Sequence, residues 1–369
     1  MIRSNGQGSC FNQISFIFCL LSFVCFLSIA DAHAFDLNSK AAVVIEASTG
    51  RVLYGKNPNL KLPPASTTKL MTAMVALDRL DLDETVRISE KASRVSPIKA
   101  NFREGELVAV NTLLRAALIK SANDAAYALA EAVAGSEERF AELMNQKATA
   151  IGMNDTRFVN STGLPEDGQY ITAYDLARML RHALRYTFIK EALNTRTDRI
   201  HTEDGRTIFL KNSNKLLWED ESVIGGKTGY TRLAKHCFVC ASENGGESVI
   251  VAVLGSPSRE ALWKESEVLI SKGFDILNGK EEPGILFDKA DYDGFVKKAS
   301  YKNKVNLRDS GIKKSDSKKT KLKKVKNKKK KRLYVSKEKT KKYLAKPAVP
   351  KKSQDISLKR SGEGIGNKG

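Results

Sequence analysis

The sequence predicts an α+β fold: a mostly antiparallel sheet flanked by helices, with an all-helical lobe inserted between its early and late strands. Three observations predict it. Short β-branched runs open the folded region at 41–46 and 51–55 and return only at 235–241 and 248–255. Between them, apolar residues recur at helical spacing. A long helical pattern from about 259 to 277 then closes the region. A cleft between sheet and lobe is the natural place for a substrate.

The elements follow in chain order. Arg3 is the only charged residue before a run from Ile14 to Ile29 that is apolar apart from Ser15, Ser22 and Ser28. Ala32-His33-Ala34 follows as a small-x-small cleavage pattern, so residues 1–34 are expected to be a secretory signal peptide cut near Ala34. The run falls short of the roughly 20 residues that a membrane span needs. The protein is therefore expected to be exported, to the periplasm or the outer face of the cytoplasmic membrane. Residues 35–280 are expected to be the folded domain. Its first two strands flank Ser48-Thr49-Gly50, a hairpin turn. Pro63-Pro64 precedes a helix marked by Leu70, Met71, Met74 and Leu77. Further helices are expected near 110–119, 124–133, 137–151 and 173–184. Residues 281–296 are expected to be a linker.

Charge divides the chain again. The whole sequence carries 62 Lys and Arg against 42 Asp and Glu, a net charge of +20. Residues 297–369 hold 28 of those basic residues and only 5 acidic ones, so the folded part is close to neutral. Such a tail cannot bury enough apolar surface to order itself and is expected to be disordered. Its charge suits electrostatic contact with an anionic membrane or wall polymers. No nucleic acid is expected as a partner, because an exported protein rarely meets it.

Cys10, Cys19 and Cys25 belong to the leader, which leaves Cys237 and Cys240. Residues three apart on a strand face opposite ways, roughly 10 Å apart. That separation is too long for a disulfide. With no further ligands beside His236, neither a redox pair nor a metal site is expected, and the two thiols read as structural.

Three short motifs carry chemistry: Ser66-Thr67-Thr68-Lys69, Ser121-Ala122-Asn123 and Lys227-Thr228-Gly229. Each alone is weak. The S-x-x-K spacing recurs at Ser96–Lys99 and Ser315–Lys318, and S-x-N recurs at Ser242–Asn244. Context separates them. Ser66 starts a strong apolar helix, where Ser66 and Lys69 share one face and the amine reaches the hydroxyl. Backbone N–H groups at that start suit an oxyanion. Pro97 follows Ser96 in a polar stretch, Ser315 lies in the tail, and Gly245-Gly246 makes 242–244 a turn. To act as a base, Lys69 must lose its proton, which burial and the nearby Lys227 favour. Ser121 can relay a proton and Asn123 can bind Lys69 and a substrate backbone. Lys227 and Thr228 suit a carboxylate, and Gly229 lets a substrate approach a strand edge. This set serves a serine acyl-transfer reaction.

Around these motifs the sequence resembles the serine-type D-alanyl-D-alanine carboxypeptidases, the low-molecular-mass penicillin-binding proteins of peptidase family S11. The resemblance rests on Pro64–Thr72, on Ile119–Ala125, on Gly152-Met153-Asn154 with Phe158-Val159-Asn160 and Thr162-Gly163-Leu164, on Thr172–Ala177 and on Lys227–Thr231. It covers roughly residues 37–278. It implies the β-lactamase/transpeptidase-like fold and a peptidoglycan stem pentapeptide as substrate. Ser66 would attack the penultimate carbonyl, Lys69 would be the base and Ser121 the relay. Asn123, Lys227, Thr228, Gly229 and Tyr230 would bind substrate, the oxyanion lying between the N–H groups of Ser66 and Tyr230. No cofactor or metal is implied, and β-lactams would be inhibitors. The family often has an arginine before its last helix that binds the substrate carboxylate; Arg259 stands nearest, with Leu262 and Trp263 at the other matching positions. The family's usual β-rich domain and amphipathic C-terminal anchor have no counterpart in residues 297–369. A D,D-endopeptidase uses the same site. A class A-like β-lactamase would add a glutamate, for which Glu166 is the candidate, though without the Leu-Asn context such a site needs.

Overall fold

A computed structural model describes residues 37–287. The expected signal peptide and the basic tail lie outside the described residues. Every element below belongs to the unit that begins at Asn38.

The centre is a six-stranded sheet. Strand β1 (Ala41–Glu46) pairs antiparallel with β2 (Val52–Lys56) and, on its other edge, with β9 (Glu247–Ser256). Strand β9 continues antiparallel to β8 (Lys235–Asn244), and β8 to β7 (Val223–Thr231), which forms one edge. At the other edge β10 (Gly284–Leu286) adds parallel to β2. Part of the expected linker is therefore a strand, because three backbone positions beside β2 were open for pairing.

The inner strands are buried on both faces, so their sequences run as unbroken apolar stretches. Successive residues serve different cores. Val43, Ile45, Ile250 and Ala252 join the cluster that also holds the lobe's helices. Val44 and Val249 instead face Gly273 of the terminal helix α9 (Arg259–Leu277), where any Cβ on residue 273 would meet Val44 at 2.8 Å. Phe238 packs edge-on against Trp263 of the same helix, with ring centroids 5.0 Å apart. Ser258 caps α9 by accepting from the Ala261 N–H. Cys237 belongs to the lobe-side cluster and Cys240 does not; both are buried and free, and burial holds both thiols far above their usual range, Cys237 up to about 12.

The lobe is inserted between β2 and β7. Its elements are a 3-10 turn (Ala65–Thr68) running into α1 (Lys69–Leu77), β3 (Thr85–Arg87), α2 (Glu90–Arg94), β4 (Leu107–Ala109), α3 (Val110–Arg115), a π turn (Ala116–Lys120), α4 (Asn123–Ala134) and α5 (Glu137–Ala150). They continue with α6 (Ala173–Ala183), α7 (Thr187–Asn194), β5 (Thr197–His201), β6 (Thr207–Lys211) and α8 (Leu216–Glu219). Helix α6 packs on β1 and β9, while α1 is buried along nearly its whole length among α4, α5 and α6. Ser136 and Thr172 cap α5 and α6, each accepting a backbone N–H three residues on.

The lobe is mainly helical, not wholly so. Strands β3 and β4 form one antiparallel ribbon, and β5 and β6 form another. The two are fastened by Arg206, whose guanidinium donates to both oxygens of the buried Glu106 carboxylate at 2.6 and 2.7 Å.

Candidate active site

Ser66 is held on a strained turn. Ala65 adopts φ +49°, a left-handed conformation that a residue with a Cβ rarely occupies, and Ser66 follows it in the 3-10 turn. Gly163 (φ +79°) closes against this turn, where an added Cβ would fall 1.8 Å from the Ala65 carbonyl oxygen. Only glycine fits there.

One turn later, Lys69 is fully buried. Its Nζ lies 3.0 Å from Ser66 Oγ, 2.7 Å from Asn123 Oδ1 and 2.8 Å from the Thr162 carbonyl oxygen. The last two oxygens can only accept. A neutral amine has two protons and one lone pair, so Asn123 and Thr162 take the protons and the lone pair is left facing the Ser66 hydroxyl. Burial first, and then the charge of Lys227, hold this ammonium well below the ordinary lysine range; Asp124 and Glu137 oppose them. The geometry therefore supplies a base in hydrogen-bond reach of its nucleophile.

The Ser121-Ala122-Asn123 turn comes from the opposite wall. Ser121 takes φ +66° after the π turn, which breaks the helix and swings the hydroxyl toward β7. Lys227 Nζ donates to it at 2.8 Å. Asn123 is fixed on three sides: its N–H donates to Ile98 O at 2.7 Å, its Nδ2 to Ser96 O at 2.9 Å, and its Oδ1 receives Lys69. Asp124 then binds the next part of that segment. Its buried carboxylate accepts from the N–H groups of Ala100, Asn101 and Phe102 at 2.9, 2.7 and 3.1 Å. Ser96 thus takes part through its carbonyl.

Strand β7 forms the third wall. Lys227 is buried, and burial pushes its amine down to about 7. Thr228 Oγ1 shares a hydrogen bond with Ser213 Oγ at 2.5 Å. Gly229 presses on the nucleophile's backbone, where an added Cβ would stand 2.8 Å from Ser66 N and 2.9 Å from Ala65 Cβ. A Gly229→Val substitution is therefore expected to force β7 off the Ser66 amide. A misplacement of about 1 Å at a reacting centre costs roughly 100-fold in rate. Stopped-flow acylation should show that loss with little change in Lys227-dependent binding; an unchanged rate would mean that β7 does not shape the site.

Tyr230 is exposed, its ring 4.5 Å from that of His236. Arg259 is exposed at the start of α9. Its charge reaches His236, contributing with burial to holding the imidazole below its usual range, and among the described residues it forms no hydrogen bond or ion pair with Ser66, Lys69, Lys227 or Thr228. Glu166 is exposed in a loop, where its backbone carbonyl accepts from Gln169 and its carboxylate makes no contact with Ser66 or Lys69. Two members of the site lie outside the three catalytic motifs. Thr162 acts through a backbone carbonyl, and Ser213 lies in an ordinary polar stretch, Asn212-Ser213-Asn214. No cluster of three metal-binding side chains occurs among the described residues.

A half-buried serine, a buried lysine 3.0 Å from its hydroxyl and a second buried lysine bonded to Ser121 are the parts that serine acyl transfer needs. The sequence profile of peptidase family S11, D-alanyl-D-alanine carboxypeptidase, matches residues 28–258, and the chain belongs to that family. It is 36% identical over 256 residues to the D-alanyl-D-alanine carboxypeptidase DacF of Bacillus subtilis, a match spanning 68% of this chain and 65% of that protein. It is also 36% identical over 226 residues to a D-alanyl-D-alanine endopeptidase of Pseudomonas aeruginosa, across 59% of this chain and 72% of the other. Among solved structures, the Streptomyces K15 DD-transpeptidase superposes with a TM-score of 0.61 at 30% identity, over 65% of this chain and 98% of that one.

Proposed function

We propose that the protein is a serine D-alanyl-D-alanine carboxypeptidase that removes the terminal D-Ala from peptidoglycan stem pentapeptides. The observation that carries this reading is the Lys69 amine, held by Asn123 and Thr162 with its third direction on Ser66. Ser66 Oγ attacks the penultimate carbonyl as its proton passes to Lys69. The Ser66–carbon bond forms, and the oxyanion rests against the backbone N–H groups of Ser66 and Tyr230. As the oxyanion collapses, the bond to the terminal D-Ala nitrogen breaks; Ser121 gives that nitrogen a proton and is reloaded by the one that Lys69 took from Ser66, which returns Lys69 to its neutral form. The terminal carboxylate lies against Lys227, Thr228 and Ser213, and its charge holds Lys227 protonated. Water then hydrolyses the ester and releases the tetrapeptide. β-Lactams acylate the same serine.

A D,D-endopeptidase has the same catalytic apparatus and is the second reading, favoured by the identity to the Pseudomonas aeruginosa relative. The two differ in the size of the leaving group. The purified chain is expected to release D-Ala from a pentapeptide at least tenfold faster than it cleaves a cross-linked dimer, measured as kcat/KM on both. The reverse order would make the protein an endopeptidase. The exposed position of Glu166 supports neither a dedicated deacylating glutamate nor a β-lactamase. Export fits a wall polymer as substrate, and the leader-like start of the chain supports it. The basic tail would add electrostatic hold on anionic lipid or wall polymers.

A further inference from the structure

Two carboxylates reach the buried Lys69 with their charge without bonding to its amine: Asp124 and Glu137. Asp124 is occupied by the backbone of 100–102 and by its own helix. Glu137 is the first residue of α5 and has no partner within that helix. Both of its oxygens bind Ser161: Oε2 accepts from the Ser161 N–H at 3.1 Å and Oε1 from the Ser161 hydroxyl.

Ser161 precedes the residue whose carbonyl holds Lys69. Ser161 and Thr162 are both buried, and the Ser161 carbonyl accepts from Thr72 Oγ1 at 2.6 Å. On the far side, Gly163 closes on Ala65. The stretch 161–163 is thus pinned by Thr72 of α1, by the turn of Ser66, by Asn160, whose Oδ1 accepts from the Gly163 N–H at 2.8 Å and from Thr162 Oγ1 at 3.1 Å, and by Glu137. Only the last of these pins carries a charge.

We propose that Glu137 is a positioning residue for acyl transfer: it fixes Ser161 so that the Thr162 carbonyl takes one Lys69 proton and keeps the lone pair on Ser66. The inference rests on Lys69 acting as the base. It gives Glu137 two separable effects. The hydrogen bonds aim the amine. The charge favours protonated Lys69, opposing Lys227. The charged groups facing Lys69 are Lys227 from β7, Asp124 from α4 and Glu137 from α5; those facing Glu137 in turn are Glu131 and Glu138, which with burial hold its carboxyl above the usual range.

The test is the pH profile of Ser66 acylation by a fluorescent penicillin, on the full chain, with Glu137→Gln, Glu137→Ala and Ser161→Ala. The glutamine keeps an acceptor for Ser161 and loses the charge. Its rate is expected to fall by about threefold, while the acid limb moves to lower pH by about half a unit, as removal of a nearby negative charge lowers the lysine pKa. Glu137→Ala loses the grip as well and is expected to fall by about 30-fold, within the range for a misaimed catalytic group. Ser161→Ala should lie between them with the acid limb in place. Equal losses in both Glu137 variants with no displaced limb, or a lowered melting temperature with wild-type rates, would overturn the proposal. If no β-lactam acylates the wild type, the functional reading fails and takes the proposal with it.

Discussion

Replacing Ser66 by alanine is expected to abolish covalent labelling by β-lactams and to cut D-Ala release by roughly 10⁴- to 10⁶-fold, the scale on which loss of a serine nucleophile acts. The cause is chemical. The Ser66 hydroxyl makes one hydrogen bond among the described residues, to Lys69, so its removal leaves the turn, α1 and the Gly163 closure in place. Lys227, Thr228 and Ser213 are untouched, so the variant should still bind a D-Ala-D-Ala peptide, with a Kd near the wild-type KM. Intact-mass spectrometry with excess penicillin and a binding titration check the two halves. Labelling that survives in the variant would place the nucleophile elsewhere.

The second large effect is Lys69→Ala, expected to lower kcat/KM by about 10³- to 10⁴-fold, the upper range for a general base. It also removes a feature of the pH profile. As the proposed base, Lys69 works when deprotonated, so the wild-type rate is expected to rise with pH as the amine loses its proton. Because burial and Lys227 depress that pKa, the rise comes well below the ordinary lysine range. As the proposed carboxylate partner, Lys227 works as the cation; burial pushes its amine down to about 7 in the free enzyme, so kcat/KM is expected to fall on the alkaline side as its charge is lost. The wild-type profile is thus a bell, and Lys69→Ala keeps the alkaline limb but loses the acid one. Persistence of the same acid limb in the variant would assign it to another group. The variant also leaves Asn123 Oδ1 and the Thr162 carbonyl without their donor, so a lowered melting temperature should accompany the lost rate.

The sequence exposed what local pattern controls. The first hairpin, the helix after Pro63-Pro64 and the late strands β8 and β9 follow from apolar periodicity and turn residues. The opposite facing of Cys237 and Cys240 follows from strand geometry alone. The small ribbons did not announce themselves. Strand β3 has only Val86 turned inward, and β5 reads Thr-Asp-Arg-Ile-His with Ile200 its one buried residue, so neither alternates over enough positions. Asp204-Gly205 was a usable turn signal for the second ribbon. Strand β10 is three residues whose pairing depends on an open edge far away in sequence.

The site divides in the same way. Side chains in short motifs, Ser66, Lys69, Ser121, Asn123, Lys227 and Thr228, stand out in the sequence, and the fold brings them within a few hydrogen bonds of one another. Backbone groups do not stand out. The carbonyls of Thr162, Ser96 and Ile98 orient the lysine and the asparagine, and no residue type encodes a carbonyl. Glu137 reads as an ordinary first-turn acid of a helix until Ser161 is seen across from it. Arg259 begins α9, and its charge reaches His236, which pairs with Tyr230 across β7 and β8.

The most direct measurement is acid-quench mass mapping of the wild-type chain turning over a peptide that ends in D-Ala-D-Ala. Trypsin cuts after Lys61 and Lys69 and isolates Ser66 on residues 62–69. That fragment is expected to carry the substrate less one D-Ala, at an occupancy that rises before steady-state release of D-Ala. Release of D-Ala with that fragment unmodified at every quench time, or an acyl group found on Ser121 instead, would contradict the assignment of Ser66 as the acylated nucleophile.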